Sequence, residues 1–404
     1  MDIVYSEDCA LHDPPFELTR GVVKPYVESP ARLESIKKAV DSQPDQFHII
    51  SPRDYSLTPI LNVHKEDYIK FLSTIYDDWV KEGLPKDAVM GECFTHLNNL
   101  SQVDPDIIKE TALMTPSGRM GIYVYDLSIA FTSKTWLSTY TSAQIALTGA
   151  HKLLELQDAN NKKANGNASA IYALCRPPGH HANCCVAGGY CFVNNAAVSV
   201  KFLQDYSLEE MNAMSKPLEF DPKKTTVTGE PKPTLSDKPK KKIMIVDVDY
   251  HHGNGTQDIF YDDQSVLYIS LHGYPDYPFF TGSTKEIGKG QGQGYNINIP
   301  LNPKTTTDAI YLDHLTRVLQ ENQTVQDFDA DIIVCSMGLD TWHEDPIAGM
   351  KGLKDVETYF KIGGLLRNSS SCKGRPVLFI QEGGYTVEKL GQLACRILQG
   401  YIDS

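Results

Sequence analysis

The chain has 404 residues, and its 38 Lys and Arg against 51 Asp and Glu give a net charge of −13. Hydrophobic residues make up 41% and charged residues 22%, which is typical of globular proteins and excludes disorder along the whole chain. The acidic balance argues against direct binding to nucleic acid, because such proteins need a basic surface to displace counterions from phosphate groups. No run of about 18 apolar residues occurs, so neither a transmembrane helix nor a membrane partner is expected.

The cysteines and the first residues indicate the compartment. Nine cysteines are scattered along the chain, and two of them, Cys184 and Cys185, are adjacent. An odd, scattered set is not a disulfide framework, so reduced thiols in a cytoplasmic and/or nuclear protein are expected. The N-terminal segment lacks a basic region followed by an apolar run, so no secretory signal is predicted.

Short apolar runs without polar alternation predict a set of buried strands, and helical patterns lie between them. In chain order we predict a strand at 2–5, helices at 29–36 and 143–156, a strand at 170–174, a helix at 194–203, and strands at 243–246, 266–269, 332–335 and 377–380. Such runs are typical of strands covered on both faces of a parallel sheet. The alternation predicts an α/β fold with an open, mostly parallel sheet flanked by helices.

One segment interrupts this alternation. Residues 208–242 are rich in proline and lysine and poor in apolar side chains. A segment of that composition cannot bury enough apolar surface to become ordered, so it is predicted to be a disordered insertion within one domain. A solvated linker is the simplest interpretation, and a regulatory or docking role is the alternative.

The first chemical motif follows the predicted strand at 243–246. Asp247, Asp249 and His251 alternate along an extended segment, so their side chains point the same way. Two carboxylates and an imidazole on one face are poorly stabilised unless a cation lies among them. The motif therefore predicts a metal site.

A second motif supplies a further metal ligand. Asp340 follows the apolar run at 332–335, and with Asp249 and His251 it makes three protein ligands. Three ligands leave one position of a zinc ion open, which is typical of a catalytic site. Because two ligands are oxygen atoms, Fe²⁺ and Co²⁺ are alternatives.

Two more motifs carry groups for acid–base chemistry and carbonyl activation. His180 and His181 follow the stiff turn Pro177-Pro178-Gly179, and imidazole titrates near neutral pH. Tyr385 follows paired glycines after the run at 377–380, and its hydroxyl could donate a hydrogen bond to a developing oxyanion.

Taken in order, these motifs resemble those of zinc-dependent histone deacetylases and acetylpolyamine amidohydrolases. The matching stretches are CRPPGHHA, GGYCFVNNAAV, DVDYHHGNGTQ, SLHG, GLDTWHEDPIAG and EGGY. GNGTQ and EGGY resemble the class II branch, and SLHGYPDYPFFTG most resembles the acetylpolyamine enzymes. The resemblance implies one arginase/deacetylase-type domain over residues 1–404, with a sheet of about eight strands.

The resemblance also implies a role for each matching residue. Asp249, His251 and Asp340 would bind one catalytic Zn²⁺, with His180, His181 and Tyr385 as catalytic residues, and with Asp247 orienting His180 and Asn254 orienting His181. Gly189, Tyr190, Phe279 and Phe280 would line the substrate channel. A structural K⁺ is implied near Asp247, Asp249, His251, Ser270 and Leu271, and the acetylpolyamine enzymes suggest a homodimer.

The expected function is a zinc-dependent deacetylase that hydrolyses the amide of acetyl-lysine, in histones or other proteins, or of an acetylpolyamine. The alternatives are a catalytically weak acyl-lysine-binding corepressor or scaffold, and an amidohydrolase acting on other acylated amines. One departure weakens polyamine specificity. A bacterial acetylpolyamine amidohydrolase has acidic residues in the segment before Thr135-Trp136, whereas ungapped comparison places Ser117 and Ser128 there.

Overall fold

The computed structural model describes residues 1–95, 104–163, 169–222, 225 and 240–404, without the side chains of residues 105 and 161–163. Twelve strands occur within these ranges: β1 (Asp2–Val4), β2 (Glu17–Thr19), β3 (Val22–Lys24), β4 (His48–Ile50), β5 (Arg53–Asp54), β6 (Ala170–Ala173), β7 (Lys216–Pro217), β8 (Ile243–Asp247), β9 (Val266–Gly273), β10 (Asn296–Leu301), β11 (Ile332–Met337) and β12 (Val377–Gln381). Eight of them form one sheet in the order β10-β9-β8-β11-β12-β6-β1-β4, and every neighbouring pair is parallel. This confirms the predicted α/β fold.

Helices cover the sheet. The α-helices within the described ranges are α1 (Pro30–Asp41), α2 (Thr58–Leu61), α3 (Glu66–Lys81), α4 (Pro105–Leu113), α5 (Pro116–Tyr123), α6 (Thr135–Lys163), α7 (Asn195–Asp205), α8 (Leu208–Met214), α9 (Asn254–Phe260), α10 (Asp308–Gln320), α11 (Gln323–Phe328), α12 (Val356–Asn368) and α13 (Val387–Asp403). None of the helices in the described part of the chain is both long and apolar enough to cross a bilayer.

The central strands are those that the apolar runs predict. Every residue of β8, β9, β11 and β12 is buried, as expected for strands covered by helices on both faces. The two edge strands, β4 and β10, were not predicted. Two of the three residues of β4 are exposed, and only three of the six residues of β10 are buried, so neither strand needs the continuous apolar run that marks a central strand.

The expected disordered insertion does not begin at residue 208. Ser207 and Glu210 form a reciprocal capping box at the start of α8, and Met211 of that helix is buried. Beyond it, β7 pairs with β5, and the ring of Phe220 lies 6.0 Å from that of Tyr140. The first part of the segment is therefore structured, because its few apolar side chains are spaced to pack on α6. Residues 223–224 and 226–239 lie outside the described residues.

Candidate active site

The polar motifs follow four strands that are neighbours at the centre of the sheet. In the order β8-β11-β12-β6, the segments after these strands carry Asp249 and His251, then Asp340, then Tyr385, then the paired histidines. Because the strands are parallel, their carboxyl ends meet at one edge, where open α/β sheets place their ligands. Residues up to 205 positions apart, His180 and Tyr385, thus share one site.

Asp249, His251 and Asp340 form a compact buried group. One potential ligand atom from each lies within 4.8 Å of the others. Nδ1 of His251 is 2.8 Å from Oδ2 of Asp340 and 3.4 Å from Oδ1 of Asp249. The second carboxylate oxygens accept backbone hydrogen bonds of 2.8 Å, from Gly383 to Asp249 and from Tyr250 to Asp340.

The electrostatics of this group suit a cation. Burial, together with the charge of Asp249, raises the pKa of Asp340 to about 6. Burial lowers the pKa of His251, but hydrogen bonds that its ring donates to the two carboxylates outweigh burial and raise that pKa to about 10. The imidazole of His251 thus favours its positively charged form between the carboxylates of Asp249 and Asp340. A Cβ on Gly383 would lie 2.7 Å from both carboxylates, so glycine is needed for the group to fit. Two oxygens and one imidazole nitrogen are suitable zinc ligands.

The paired histidines have opposite environments. Nδ1 of His180 is 3.2 Å from Oδ2 of Asp247, and Nδ1 of His181 is 2.8 Å from Oδ1 of Asn254. Burial lowers the pKa of His180, but the charges of Asp249 and Asp247 raise it to about 10. Burial and the neighbouring His180 hold the pKa of His181 well below its usual value. A neutral His181 can accept a proton.

Glu382 fixes the turn that carries these histidines, and the sequence analysis missed it. Its Oε2 accepts hydrogen bonds from the backbone N–H of Gly179 at 2.7 Å and of His180 at 3.1 Å. Burial raises the pKa of this fully buried carboxyl to about 7. The available signal was an acidic residue directly after the apolar strand β12.

Arg32 and Asp345 surround Tyr385, and neither was predicted. The Arg32 guanidinium lies 4.7 Å from the centre of the Tyr385 ring and donates to the Glu382 carbonyl at 2.6 Å. Oδ2 of Asp345 accepts the backbone N–H of Tyr385 at 2.7 Å. Arg32 is 3% exposed and lies on the buried face of α1. The signal available in the sequence was an arginine among the apolar positions of that helix face.

A cavity of about 280 Å³ leads from the surface to His181 and His251. Gly189, Tyr190 and Phe279, three of the four residues predicted for the substrate channel, line this cavity. Phe280, the fourth, is not among the residues that line it. The backbone of Phe279 is left-handed (φ 70°), and the Phe280 side chain is 93% exposed on the outside of the loop.

Tyr277 supplies the aromatic wall on this side of the cavity instead. Its ring lies 5.0 Å from the ring of His181, edge to face. Its hydroxyl donates to Oδ2 of Asp126 at 2.5 Å and lies 3.0 Å from the hydroxyl of Tyr125. Gly189 is required here, because a Cβ would clash with Cδ2 of His181 and would lie 2.9 Å from the Tyr277 hydroxyl.

The structure also corrects the reading of the segment before Thr135. Ser117 belongs to α5 and does not line the cavity, whereas Ser128 does. Asp126, two residues before Ser128, lines the cavity and accepts the Ser128 hydroxyl at 2.6 Å. Glu17 and Asp276 also line it. The segment therefore keeps a carboxylate at the cavity, which ungapped comparison of two positions could not reveal.

The residues expected around K⁺ are close in the sheet. Asp247 of β8 and Ser270 of β9 are paired in register, and Leu271 follows Ser270. All of these residues are buried. The Ser270 hydroxyl lies 2.9 Å from Nδ1 of His272.

The site is of the metal-assisted hydrolase class, because a three-ligand buried group adjoins a neutral imidazole and a phenol at the end of a channel. The histone deacetylase domain model matches residues 26–212 and 233–401. Acetylpolyamine amidohydrolases 2 and 1 of Pseudomonas aeruginosa are 34% and 35% identical over 400 and 403 residues, each covering 98% of both chains. The crystal structure of acetylpolyamine aminohydrolase from Burkholderia pseudomallei has a TM-score of 0.77 at 28% identity, covering 99% of this chain and 98% of that one.

This chain belongs to the histone deacetylase family. It is a deacetylase, a hydrolase acting on amides, in a family that depends on zinc.

Proposed function

We propose that the enzyme removes the acetyl group from small acetylated polyamines in preference to acetyl-lysine in proteins. The observation that carries this proposal is a pair of carboxylates, Asp126 and Asp276, on the wall of the cavity that ends at His181. Neither forms an ion pair within the described ranges, whereas Glu17 is paired with Lys24 at 3.0 Å. A distal ammonium group of a polyamine would be attracted to the two unpaired acids. The similarity to enzymes named for acetylpolyamines, over nearly the full chain, points the same way.

In the proposed mechanism, Asp249, His251 and Asp340 would hold one Zn²⁺. When bound there, the ion would supply polarisation of the amide carbonyl and a more acidic water. His181, neutral and oriented by Asn254, removes a proton from the attacking water and returns it to the departing amine. Tyr385 donates a hydrogen bond to the carbonyl oxygen as negative charge develops there.

His180 is assigned a supporting role in this scheme. Its Nδ1 lies 3.2 Å from Oδ2 of Asp247. Together with burial, the neighbouring His180 lowers the pKa of His181, which favours the neutral form of that ring. Asp247 holds the ring, and Glu382 holds the backbone.

The substrate class is tested with two amides that differ only in their distal group. We expect kcat/KM for N-acetylcadaverine, which has a distal ammonium, to exceed that for N-acetylpentylamine, which has a hydrogen in place of the ammonium. Asp276→Asn should lower the ratio of kcat/KM for N-acetylcadaverine to kcat/KM for N-acetylpentylamine by about fivefold, or about 1 kcal/mol. The kcat/KM for the uncharged substrate should not change. Asparagine keeps an oxygen that can accept the Tyr250 hydroxyl, now bonded to Asp276 at 2.8 Å.

Other results would identify the alternatives. Faster hydrolysis of acetyl-lysine peptides than of N-acetylcadaverine would overturn the polyamine proposal and leave the deacetylase assignment intact. Selective turnover of other acylated amines would favour a different amidohydrolase. Binding of acetyl-lysine without turnover, in a metal-loaded protein, would favour a scaffold.

Two further proposals concern K⁺ and assembly. The pairing of Asp247 with Ser270 supports a K⁺ site, and we expect a higher melting temperature in KCl than in equimolar NaCl. A homodimer is proposed from the resemblance to acetylpolyamine enzymes, and light scattering would detect it. Binding to nucleic acid is not expected at a net charge of −13.

A further inference from the structure

Two neighbouring thiols lie on the loop between His181 and the cavity wall. Six of the nine cysteines are buried, whereas Cys184 and Cys185 are partly exposed and Cys93 is exposed. The pair begins three residues after His181 and ends four residues before Gly189, which lines the cavity. Nothing in the proposed deacetylation uses either thiol.

Hydrogen bonds on each side hold the peptide that joins the two cysteines. The Cys184 carbonyl accepts the backbone N–H of Lys65 at 2.8 Å. The backbone N–H of Cys185 donates to Oδ1 of Asn183 at 2.9 Å. The Asn194 side chain donates to the carbonyl of Ala182 at 3.0 Å. This chain of contacts links the cysteine pair to the backbone that carries His181.

The two thiols differ in reactivity. A hydrogen bond from Cys185, aided by the charge of Lys65, lowers the pKa of Cys184 to about 7. The same interaction, with burial, raises the pKa of Cys185. The lowered pKa increases the thiolate fraction of Cys184, and the thiolate is the form that reacts with oxidants.

We propose that Cys184 and Cys185 form a reversible disulfide that lowers deacetylase activity when the enzyme meets hydrogen peroxide. The Cys184 sulfur attacks one peroxide oxygen, which breaks the O–O bond, forms a sulfenic acid and releases water after proton transfer. The Cys185 sulfur then attacks the Cys184 sulfur, forms the S–S bond and expels the second water. Two thiols lose two electrons in total, and one peroxide is reduced to two waters.

The geometry of adjacent residues makes such a bond labile. Neighbouring Cα atoms are about 3.8 Å apart across a trans peptide, which is shorter than the roughly 4.4–6.8 Å usual for a disulfide. The strain makes the bond easy to reduce, as in regulatory disulfides. Closing the ring turns the joining peptide and breaks its hydrogen bonds to Lys65 and Asn183. Because His181 lies three residues before Cys184 on the same loop, we expect its ring to shift relative to Asn254.

The test compares the wild type with Cys184→Ser, Cys185→Ser and the matched control Cys93→Ser, each loaded with metal. After hydrogen peroxide, the wild type and Cys93→Ser should lose most of their activity and yield a peptide with an internal Cys184–Cys185 disulfide. Dithiothreitol should restore the activity. The Cys184→Ser and Cys185→Ser variants should keep their activity through the same treatment.

Three results would overturn the proposal: no internal disulfide in the wild type, a disulfide without loss of activity, or equal inactivation of the serine variants. If those variants fail to fold, phenylarsine oxide gives a second test on the wild type. This reagent bridges two close thiols and releases water, so it should block disulfide formation by peroxide. Disulfide formation after this pretreatment would likewise contradict the proposal.

Discussion

The backbone N–H of Tyr385 donates a hydrogen bond of 2.7 Å to Oδ2 of Asp345, a residue forty positions earlier in the chain. Oδ1 of the same carboxylate accepts the N–H groups of Ile347 and Ala348 at 3.2 Å. One buried acid thus joins the segment after β11 to the turn after β12. It determines where the phenol of Tyr385 lies relative to His251.

Asp345→Asn should lower kcat by about tenfold, because an amide has one acceptor oxygen and cannot serve both sets of N–H groups. KM and metal content should change little, since the substitution acts on the position of Tyr385. Steady-state kinetics and metal analysis would check this. A raised KM at unchanged kcat would indicate a role in binding instead.

Tyr385→Phe should keep the fold and the metal but lose about 10²–10³ in kcat, which is typical for removal of one oxyanion donor. A trifluoroacetyl substrate is already electrophilic and should be affected less than an acetyl one. Parallel kcat measurements on both substrates would test this. A kcat for the acetyl substrate within about threefold of the wild type would exclude Tyr385 as the group that polarises the carbonyl.

Asp340→Asn should greatly weaken metal binding and abolish activity. The substitution replaces an anionic oxygen ligand by a neutral one, in a group where three ligands define a single ion. Elemental analysis of the wild type should find about one catalytic zinc per chain, and the variant should hold far less. Two transition-metal ions per wild-type chain, or full activity of the variant, would contradict this assignment.

Tyr277→Phe and Phe280→Ser form a matched pair at the mouth of the cavity. Removing the Tyr277 hydroxyl takes away one hydrogen bond to Oδ2 of Asp126, which keeps the one from the backbone N–H of Gly189. The change should alter the ratio of kcat/KM between N-acetylcadaverine and N-acetylpentylamine. Phe280 is exposed outside the cavity, so its replacement should leave the ratio unchanged. The opposite result would restore Phe280 to the channel.

Two deletions should separate the structured part of the 208–242 segment from the rest. Replacing residues 226–239 by a short linker should change the melting temperature by less than about 2 °C, because their sequence has few apolar side chains and loop length costs little. Extending the deletion to residue 208 removes buried Met211 and the packing of Phe220 on Tyr140. This longer deletion should lower the melting temperature by several degrees. Calorimetry of the two deletion variants would measure both melting temperatures. Equal changes in the two variants would contradict the division of the segment into a structured first part and a remainder that adds little to stability.

The sequence was sufficient for the architecture and for most of the reactive groups. The apolar runs at β8, β9, β11 and β12 predict a parallel sheet, because strands covered on both faces cannot alternate with polar residues. The motif around Asp249 and His251 predicts a cation, because a period of two places its side chains on one side. Both rest on local periodicity, which is visible without tertiary contacts.

Only the tertiary structure decided which distant residues support those groups. Glu382, Asp345 and Arg32 act through hydrogen bonds or ring contacts across the site, and no spacing in the sequence encodes such contacts. Tyr277 forms the cavity wall and Phe280 does not, and this depends on the left-handed backbone at Phe279. That backbone conformation is uncommon for phenylalanine, so the sequence does not predict it. The local sequence thus determines which reactive residues follow each strand. The packing of the four adjacent strands β8, β11, β12 and β6 determines which of those side chains come into contact.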